Sequence, residues 1–188
     1  VDSDGDGIRE KDGETLSFTI SYSDILQFFE TTALVAQDQL GDIGFDVELN
    51  QLEWAHYLEE VYFGQRYDAT PMSNSGGASG PPDPDFFTTL VRSTEDVPGS
   101  GNNIASYVNP EVDALLDQAR TLDGCDLDAR GEIYRDIQQI LHDDVAYDFT
   151  FVPNIWQTAN TRIEGFEPGP NWVFYGYVSW IDEWSLSN

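Results

Sequence analysis

The first residues able to do chemistry stand at the start of the chain. Asp2, Asp4 and Asp6 alternate in Asp2-Ser3-Asp4-Gly5-Asp6-Gly7-Ile8. This D-x-D-x-D-G spacing lets carboxylate oxygens converge on a hard divalent cation while a glycine makes the sharp turn. A full calcium loop would close on a glutamate at its twelfth position, which here is Gly13. Asp12 or Glu10 would close the ring only along a different loop path. The candidate ligand set is Asp2, Asp4, Asp6, Ile8 and Asp12, holding a structural Ca2+ and not a catalytic ion. No cofactor is required by anything else in the chain, and the simpler reading of the same residues is a solvated acidic turn.

A second set surrounds the run Ser73-Asn74-Ser75-Gly76-Gly77-Ala78-Ser79-Gly80-Pro81-Pro82-Asp83-Pro84-Asp85. Ser73, Asn74 and Ser75 offer neutral hydrogen bonds, which suit sugars, amides or peptide backbone. Asp83 is read first as the cap of a following helix and second as a ligand contact. Trp54 is either a cleft residue or core, with core favoured on burial grounds. Asn103 and Tyr107 line a cleft or cap a loop. Trp172, Tyr175, Tyr177, Trp180 and Trp184 form either a stacking platform for sugars or a seal against another lobe. Cys125 stands alone among acids, which disfavour a thiolate, and reads as a loop residue.

Signatures of catalysis are missing. No G-x-S-x-G elbow, H-E-x-x-H or G-x-x-x-x-G-K-[ST] occurs, and His56 and His142 lie far apart without cysteine partners. A glycoside hydrolase needs two placed carboxylates, but among 35 acids some pair always has a suitable separation. The chain is therefore expected to be no enzyme.

The elements that must position these groups alternate. Thr15 to Tyr22 has strand periodicity, with Leu16, Phe18, Ile20 and Tyr22 on one face. Asp24 can cap a helix over 25–40, in which Phe28, Leu34, Val35 and Leu40 recur at helical spacing. A strand follows at 45–52, a helix at 54–63 stopped by Gly64, and a short strand at 67–72. This βαβαβ order predicts a parallel sheet, whose ligands collect beyond the carboxyl ends of the strands. A short helix is expected at 86–91. Asn109-Pro110-Glu111 starts another, with Val112, Leu115, Leu116 and Ala119 as its stripe. A further helix over 126–141 carries Ile133, Ile137 and Ile140. Residues 147–152 and 155–162 could pair as a hairpin. The organisation expected is an acidic turn at 1–14, an α/β ligand-binding lobe at 15–164 and an aromatic segment at 165–188.

Charge bounds the partners. Eight Lys and Arg face 35 Asp and Glu, a formal net charge of −27 with 13% aromatic residues. Disordered acidic chains lack aromatics, so this is a folded, salt-adapted protein with an acidic surface. Its self-repulsion acts over ~30 Å at 0.01 M salt and ~3 Å at 1 M. Nucleic acid is excluded as a partner, since phosphate binding needs basic patches. The chain opens inside an Asp/Gly run without an initiator Met, which reads as a segment of something longer.

Taken in order, several motifs resemble a known family. They are Asp4-Gly5-Asp6-Gly7-Ile8-Arg9-Glu10, then Gly41-Asp42-Ile43-Gly44-Phe45 with Glu53-Trp54, then Asp83-Pro84-Asp85-Phe86-Phe87. Most telling is Tyr107-Val108-Asn109-Pro110-Glu111-Val112-Asp113-Ala114-Leu115-Leu116. Arg130-Gly131-Glu132-Ile133-Tyr134, Gln138-Gln139-Ile140-Leu141 and Ile163-Glu164-Gly165-Phe166 follow. The chain resembles the family 5 solute-binding proteins of ABC importers, which take peptides, nickel or oligosaccharides, here of a haloarchaeal-like kind. The resemblance implies the C-terminal lobe of a two-lobed periplasmic-binding-protein-like α/β fold, with a mixed sheet flanked by helices. It implies an extracellular, membrane-anchored (often lipoprotein) monomer that captures a small solute and delivers it to a membrane permease. Peptide is the leading solute and oligosaccharide the alternative; a calcium-stapled surface module is a further one. Peptide-binding members place an amine-gripping aspartate three residues before the Asp-Pro pair. That position is Gly80 here, a departure that weakens ordinary peptide recognition.

Overall fold

The computed structural model describes residues 1–73, 83–151, 158–167 and 181–187. The chain divides into two compact units, residues 1–73 with 94–104 and residues 74–93 with 105–188.

The first unit begins with a hairpin, β1 (Glu10–Lys11) and β2 (Glu14–Thr15), which pair antiparallel around Asp12 and Gly13. Both turn residues have positive φ, 57° and 85°, the conformation that Asp and Gly tolerate in tight hairpins. Strand β3 (Ser17–Ser23) leads to helix α1 (Gln27–Gly41), which returns to β4 (Asp46–Leu52). The two strands pair in parallel from Ser17↔Asp46 to Ser23↔Leu52. Helix α2 (Trp54–Tyr57) continues into a π-helical turn at Leu58–Tyr62. The strand expected at 67–72 is reduced to one parallel bridge, Ala69 with Ile20. The Asp68 carboxylate accepts from the Thr19 N–H at 2.9 Å, and Pro71 has no N–H to extend a ladder.

The expected face of β3 holds only in part. Ile20 and Tyr22 are buried, but so are Ser21 and Ser23, while Leu16 is exposed. Helix α1 departs further. Its N-cap is Leu26, with no side-chain bond, because Asp24 and Ile25 form a turn before the helix begins. The core takes Phe29 and Ala33 with Ala36 and Leu40, while Leu34 and Val35 are each 49% exposed. Alanines let the helix approach β3 and β4 closely, so the larger pair faces outward.

In the second unit, a 3-10 turn at Pro84–Phe86 runs into α3 (Phe87–Val91). Helices α4 (Pro110–Thr121) and α5 (Leu127–Asp144) supply most of its core: Val112, Leu116, Ala119, Ile133, Tyr134, Ile137 and Leu141, with Val91. Asn109 caps α4 by accepting the Glu111 N–H at 2.9 Å, and Asp126 caps α5. Short strands β5 (Ile163–Glu164) and β6 (Ser185–Leu186) pair antiparallel. Residues 147–151 and 158–162 form no strand, so the expected hairpin is absent among the described residues; the rest of it lies outside them.

Candidate functional site

The carboxyl ends of β3 and β4 coincide, and the Asp24 N–H donates to the Leu52 carbonyl at 3.0 Å across them. Glu53 leaves β4 in extended conformation and caps α2 by accepting from the Ala55 N–H at 3.0 Å. The cap starts the helix at Trp54, at the edge where open α/β sheets hold ligands. Trp54 is 39% exposed, so core packing is not its role. Its ring stacks on Tyr57, centroids 5.7 Å apart and planes 14° off parallel. Tyr57 is buried, with its hydroxyl 3.1 Å from the Thr70 hydroxyl and 3.4 Å from the Pro71 carbonyl. Burial pushes the Tyr57 phenol above its ordinary pKa, so it stays neutral. The pair is a flat platform backed by the segment that leads to Ser73, itself exposed.

The remaining cleft candidates divide. Asn74, Ser75 and Gly80 lie outside the described residues, as do Trp172, Tyr175, Tyr177 and Trp180. Trp184 packs edge-on against Phe166 at 5.1 Å. Asn103 is fully buried within the first unit; its N–H donates to the Glu95 carbonyl and its own carbonyl accepts from Gln65. It is enclosed by the first unit and presents no exposed surface there. The Tyr107 hydroxyl donates to Asp144 at 2.6 Å, and Asn109 Nδ2 donates to the same carboxylate oxygen at 2.9 Å. Tyr107 therefore ties the entry of α4 to the end of α5.

Asp83 caps the 3-10 turn at Pro84–Phe86, accepting from the Asp85 N–H at 2.8 Å, while α3 itself has Phe86 at its N-cap with no side-chain bond. Sequence reasoning missed its second bond, an ion pair with Arg130 at 2.9 Å. Asp85 is held in turn by Arg120 through both nitrogens, at 2.9 to 3.1 Å, and by the hydroxyls of Tyr134 and Thr88. Hydrogen bonds from Arg130 and Arg120 respectively hold Asp83 and Asp85 below the usual carboxylate range. This network fixes residues 83–86 and leaves both carboxylates engaged.

At the amino terminus Asp2, Asp4 and Asp6 do gather, and Glu10 completes the cluster, with oxygens of all four within 4.8 Å of one another. Asp12 is not part of the cluster; it sits at positive φ in the β1–β2 turn. The hairpin folds Glu10 back over the loop, where it also accepts from the Ser3 N–H at 2.9 Å. The Ile8 N–H donates to the Asp6 carboxylate at 2.8 Å.

No family model matches the chain. The oligopeptide-binding protein AppA of Bacillus subtilis is 28% identical over 181 residues, 95% of this chain and 32% of its own length. Protein XP55 of Streptomyces lividans is 32% identical over 168 residues, 85% of this chain and 29% of its own. The structure of AppA in complex with a nonapeptide superposes on 100% of this chain and 35% of that one, with TM-score 0.76 and 27% identity.

The chain has the fold of a periplasmic solute-binding protein.

That fold extends to DppA of Helicobacter pylori, an ABC transporter-associated periplasmic binding protein in complex with the peptide STSA. It covers 70% of this chain and 24% of DppA at TM-score 0.57 and 26% identity. A nickel ABC transporter structure from Bacillus halodurans shares the fold alone, at 23% identity and TM-score 0.59 over 73% of this chain and 27% of that one. AppA is thus an oligopeptide-binding protein and DppA an ABC transporter-associated one, while the Bacillus halodurans structure is of a nickel ABC transporter. The chain spans about a third of the length of the curated relatives it matches.

Proposed function

We propose that this chain is most of the C-terminal lobe of an extracellular solute-binding protein that captures a peptide and hands it to an ABC permease. The observation that carries this reading is the match to AppA in its nonapeptide complex, which runs the whole length of this chain. The stacked Trp54–Tyr57 platform at the carboxyl edge of the sheet supports it locally. Such a lobe binds its solute without reacting with it. The second lobe closes over the solute by a hinge motion, and the protein works as a membrane-anchored monomer. With Gly80 where an amine-gripping aspartate would stand, the peptide's amino terminus is held by other groups. A sugar is the rival solute, since an indole face suits either. Calorimetric titration of the full-length protein with a nonapeptide and with an oligosaccharide tests this. Saturable peptide binding with the peptide recovered intact is expected. Sugar binding alone would move the function to the rival, and cleavage of either ligand would sink the binding reading.

The acidic turn fits a calcium staple held by Asp2, Asp4, Asp6 and Glu10. The support is their convergence within 4.8 Å, a spacing suited to a cation that takes six to eight oxygens. Chelator added at constant high salt should lower the thermal midpoint; an unchanged midpoint removes the staple.

A further inference from the structure

The far end of α2, away from the carboxyl edge of the sheet, carries a surface of its own. Past Tyr57 the chain takes the π-helical turn Leu58–Tyr62, closed by the Phe63 N–H donating to the Leu58 carbonyl at 2.8 Å. Single π turns are rare and occur often at functional sites. Gly64 follows with no room for a side chain, since a Cβ there would lie 2.5 and 2.6 Å from the Glu59 and Glu60 carbonyl oxygens. The 97–99 turn docks alongside, its Gly99 N–H donating to the Phe63 carbonyl at 2.8 Å. Between the two runs an open groove of about 600 Å³, lined by Ala55, Leu58, Glu59, Phe63, Arg66 and Pro98 among others. All of these residues belong to the first unit. Ala55, Leu58 and Glu59 share one face of the helix by their spacing, whereas Trp54, Tyr57 and Val61 share another. The groove is therefore separate from the Trp54–Tyr57 platform.

Its apolar groups are exposed and held in place. Phe63 is 42% exposed, and Val97, next to Pro98 in the facing turn, is 44% exposed. The Phe63 ring packs edge-on against Tyr62, centroids 5.2 Å apart, and the Tyr62 hydroxyl donates to Asn102 at 2.5 Å. Single exposed apolar residues are ordinary. Two large ones on either side of a groove floored by Leu58 form a patch of the kind that partners cover.

The charges around it say what kind of partner. Arg66 is engaged by Glu60, through Nε at 2.9 Å and Nη2 at 2.8 Å, and His56 faces the same carboxylate at 3.7 Å. Glu59 is exposed and has no side-chain hydrogen bond among the described residues; its charge reaches Arg66 only through space. Asp96 adds a further acid ahead of Val97. A second copy of this chain, with a net charge of −27, or an anionic membrane would meet like charge here. A Lys or Arg set beside an apolar side chain would meet Glu59 and cover Phe63. Screening over ~3 Å at 1 M salt confines that attraction to groups in contact, so it selects a partner without steering it from afar.

We propose that the groove between the end of α2 and the 97–99 turn is a docking site for the membrane permease, taking a permease segment that carries Lys or Arg next to an apolar residue. This rests on the permease part of the reading above and not on the identity of the solute. The test is biolayer interferometry of the full-length protein against its permease in detergent, at high salt and with a nonapeptide present. Glu59→Lys and Phe63→Ala should each weaken docking about tenfold or more, the loss of one well-placed contact. Asp38→Lys makes the same charge change on the exposed face of α1 and should leave docking within about twofold of wild type. All three positions are exposed, so the variants should keep the wild-type circular dichroism spectrum and the wild-type affinity for the nonapeptide by calorimetry. Docking that survives either groove substitution, or that Asp38→Lys weakens equally, overturns the groove alone. So does a changed nonapeptide affinity, or a wild-type dimer that Phe63→Ala dissociates, which would give the groove to a second copy. No docking by the wild-type protein overturns the transport reading and the groove with it. Failure of the nonapeptide alone to bind counts against the peptide reading and leaves the docking comparison standing.

Discussion

Replacing Asp85 by alanine should cost the second unit about 2–4 kcal/mol. The ion pair is the smaller part of that figure. Arg120 is 47% exposed and Asp85 28%, and exposed pairs contribute roughly 0.2–1 kcal/mol. The larger part comes from two buried hydroxyls, on Thr88 and Tyr134, which donate to Asp85 at 3.0 and 3.1 Å. Each loses its acceptor in Asp85→Ala, at about 1–3 kcal/mol apiece, moderated by local rearrangement. Tyr134→Phe removes one stranded donor, so the double variant should be less destabilised than the two single losses added together, by about 1 kcal/mol. Asp85→Asn keeps an acceptor and should fall between wild type and alanine. The pH dependence has a definite sign. Arg120 first, then Thr88 and Tyr134, hold the carboxyl below its ordinary value. A depressed folded pKa gives stability present above the unfolded pKa and lost as pH falls through the folded one. The gap between wild type and Asp85→Ala, read by urea denaturation at fixed high salt, should therefore be full at pH 7 and shrink below about pH 4. A gap under about 0.5 kcal/mol, strict additivity with Tyr134→Phe, or a gap that persists in acid would refute the reasoning.

Asn109→Ala removes the acceptor for the Glu111 and Val112 N–H groups and should cost about 1 kcal/mol, measured as a lower urea midpoint; Asn109→Ser should restore most of it. Gly101→Ala would place a Cβ 1.8 Å from the Glu95 carbonyl oxygen. The new methyl would meet backbone atoms, which cannot swing aside as a side chain can, so the 95–101 turn must move and the thermal midpoint should drop; a wild-type midpoint would contradict the turn's geometry. Net charge −27 predicts unfolding or expansion below about 0.5–1 M salt, where screening lengthens past ~3 Å. A circular dichroism spectrum constant across a salt series would contradict the salt adaptation.

Local signals in the sequence were the ones that carried through. The cap at Asn109 and the cap at Asp83 depend on residues two or three apart, and both form as their types dictate. Alternation at 15–22 and 45–52 was enough to place the two strands that pair in parallel at Ser17–Ser23 and Asp46–Leu52. Helix α1 misled because periodicity weighs large apolar residues, whereas Ala33 and Ala36 face the sheet and Leu34 and Val35 do not. The Asp83–Arg130 and Asp85–Arg120 pairs join residues 47 and 35 apart, and no spacing rule reaches that far. Glu10 replaces Asp12 at the acidic turn because the Asp12-Gly13 hairpin points one acid back and carries the other to its tip. For Trp54 the burial statistics favoured the core. Its place just after a capped strand end, Leu52-Glu53-Trp54, was the signal that favoured the edge.

Native mass spectrometry of the full-length protein, purified from its own host without added ligand, addresses the central claim directly. A solute-binding lobe of the peptide type predicts a co-purified population heavier by the mass of a short peptide, released on activation and identified by sequencing. A uniform ligand-free mass that stays so after incubation with nonapeptides, or an adduct that proves to be a sugar, would contradict it.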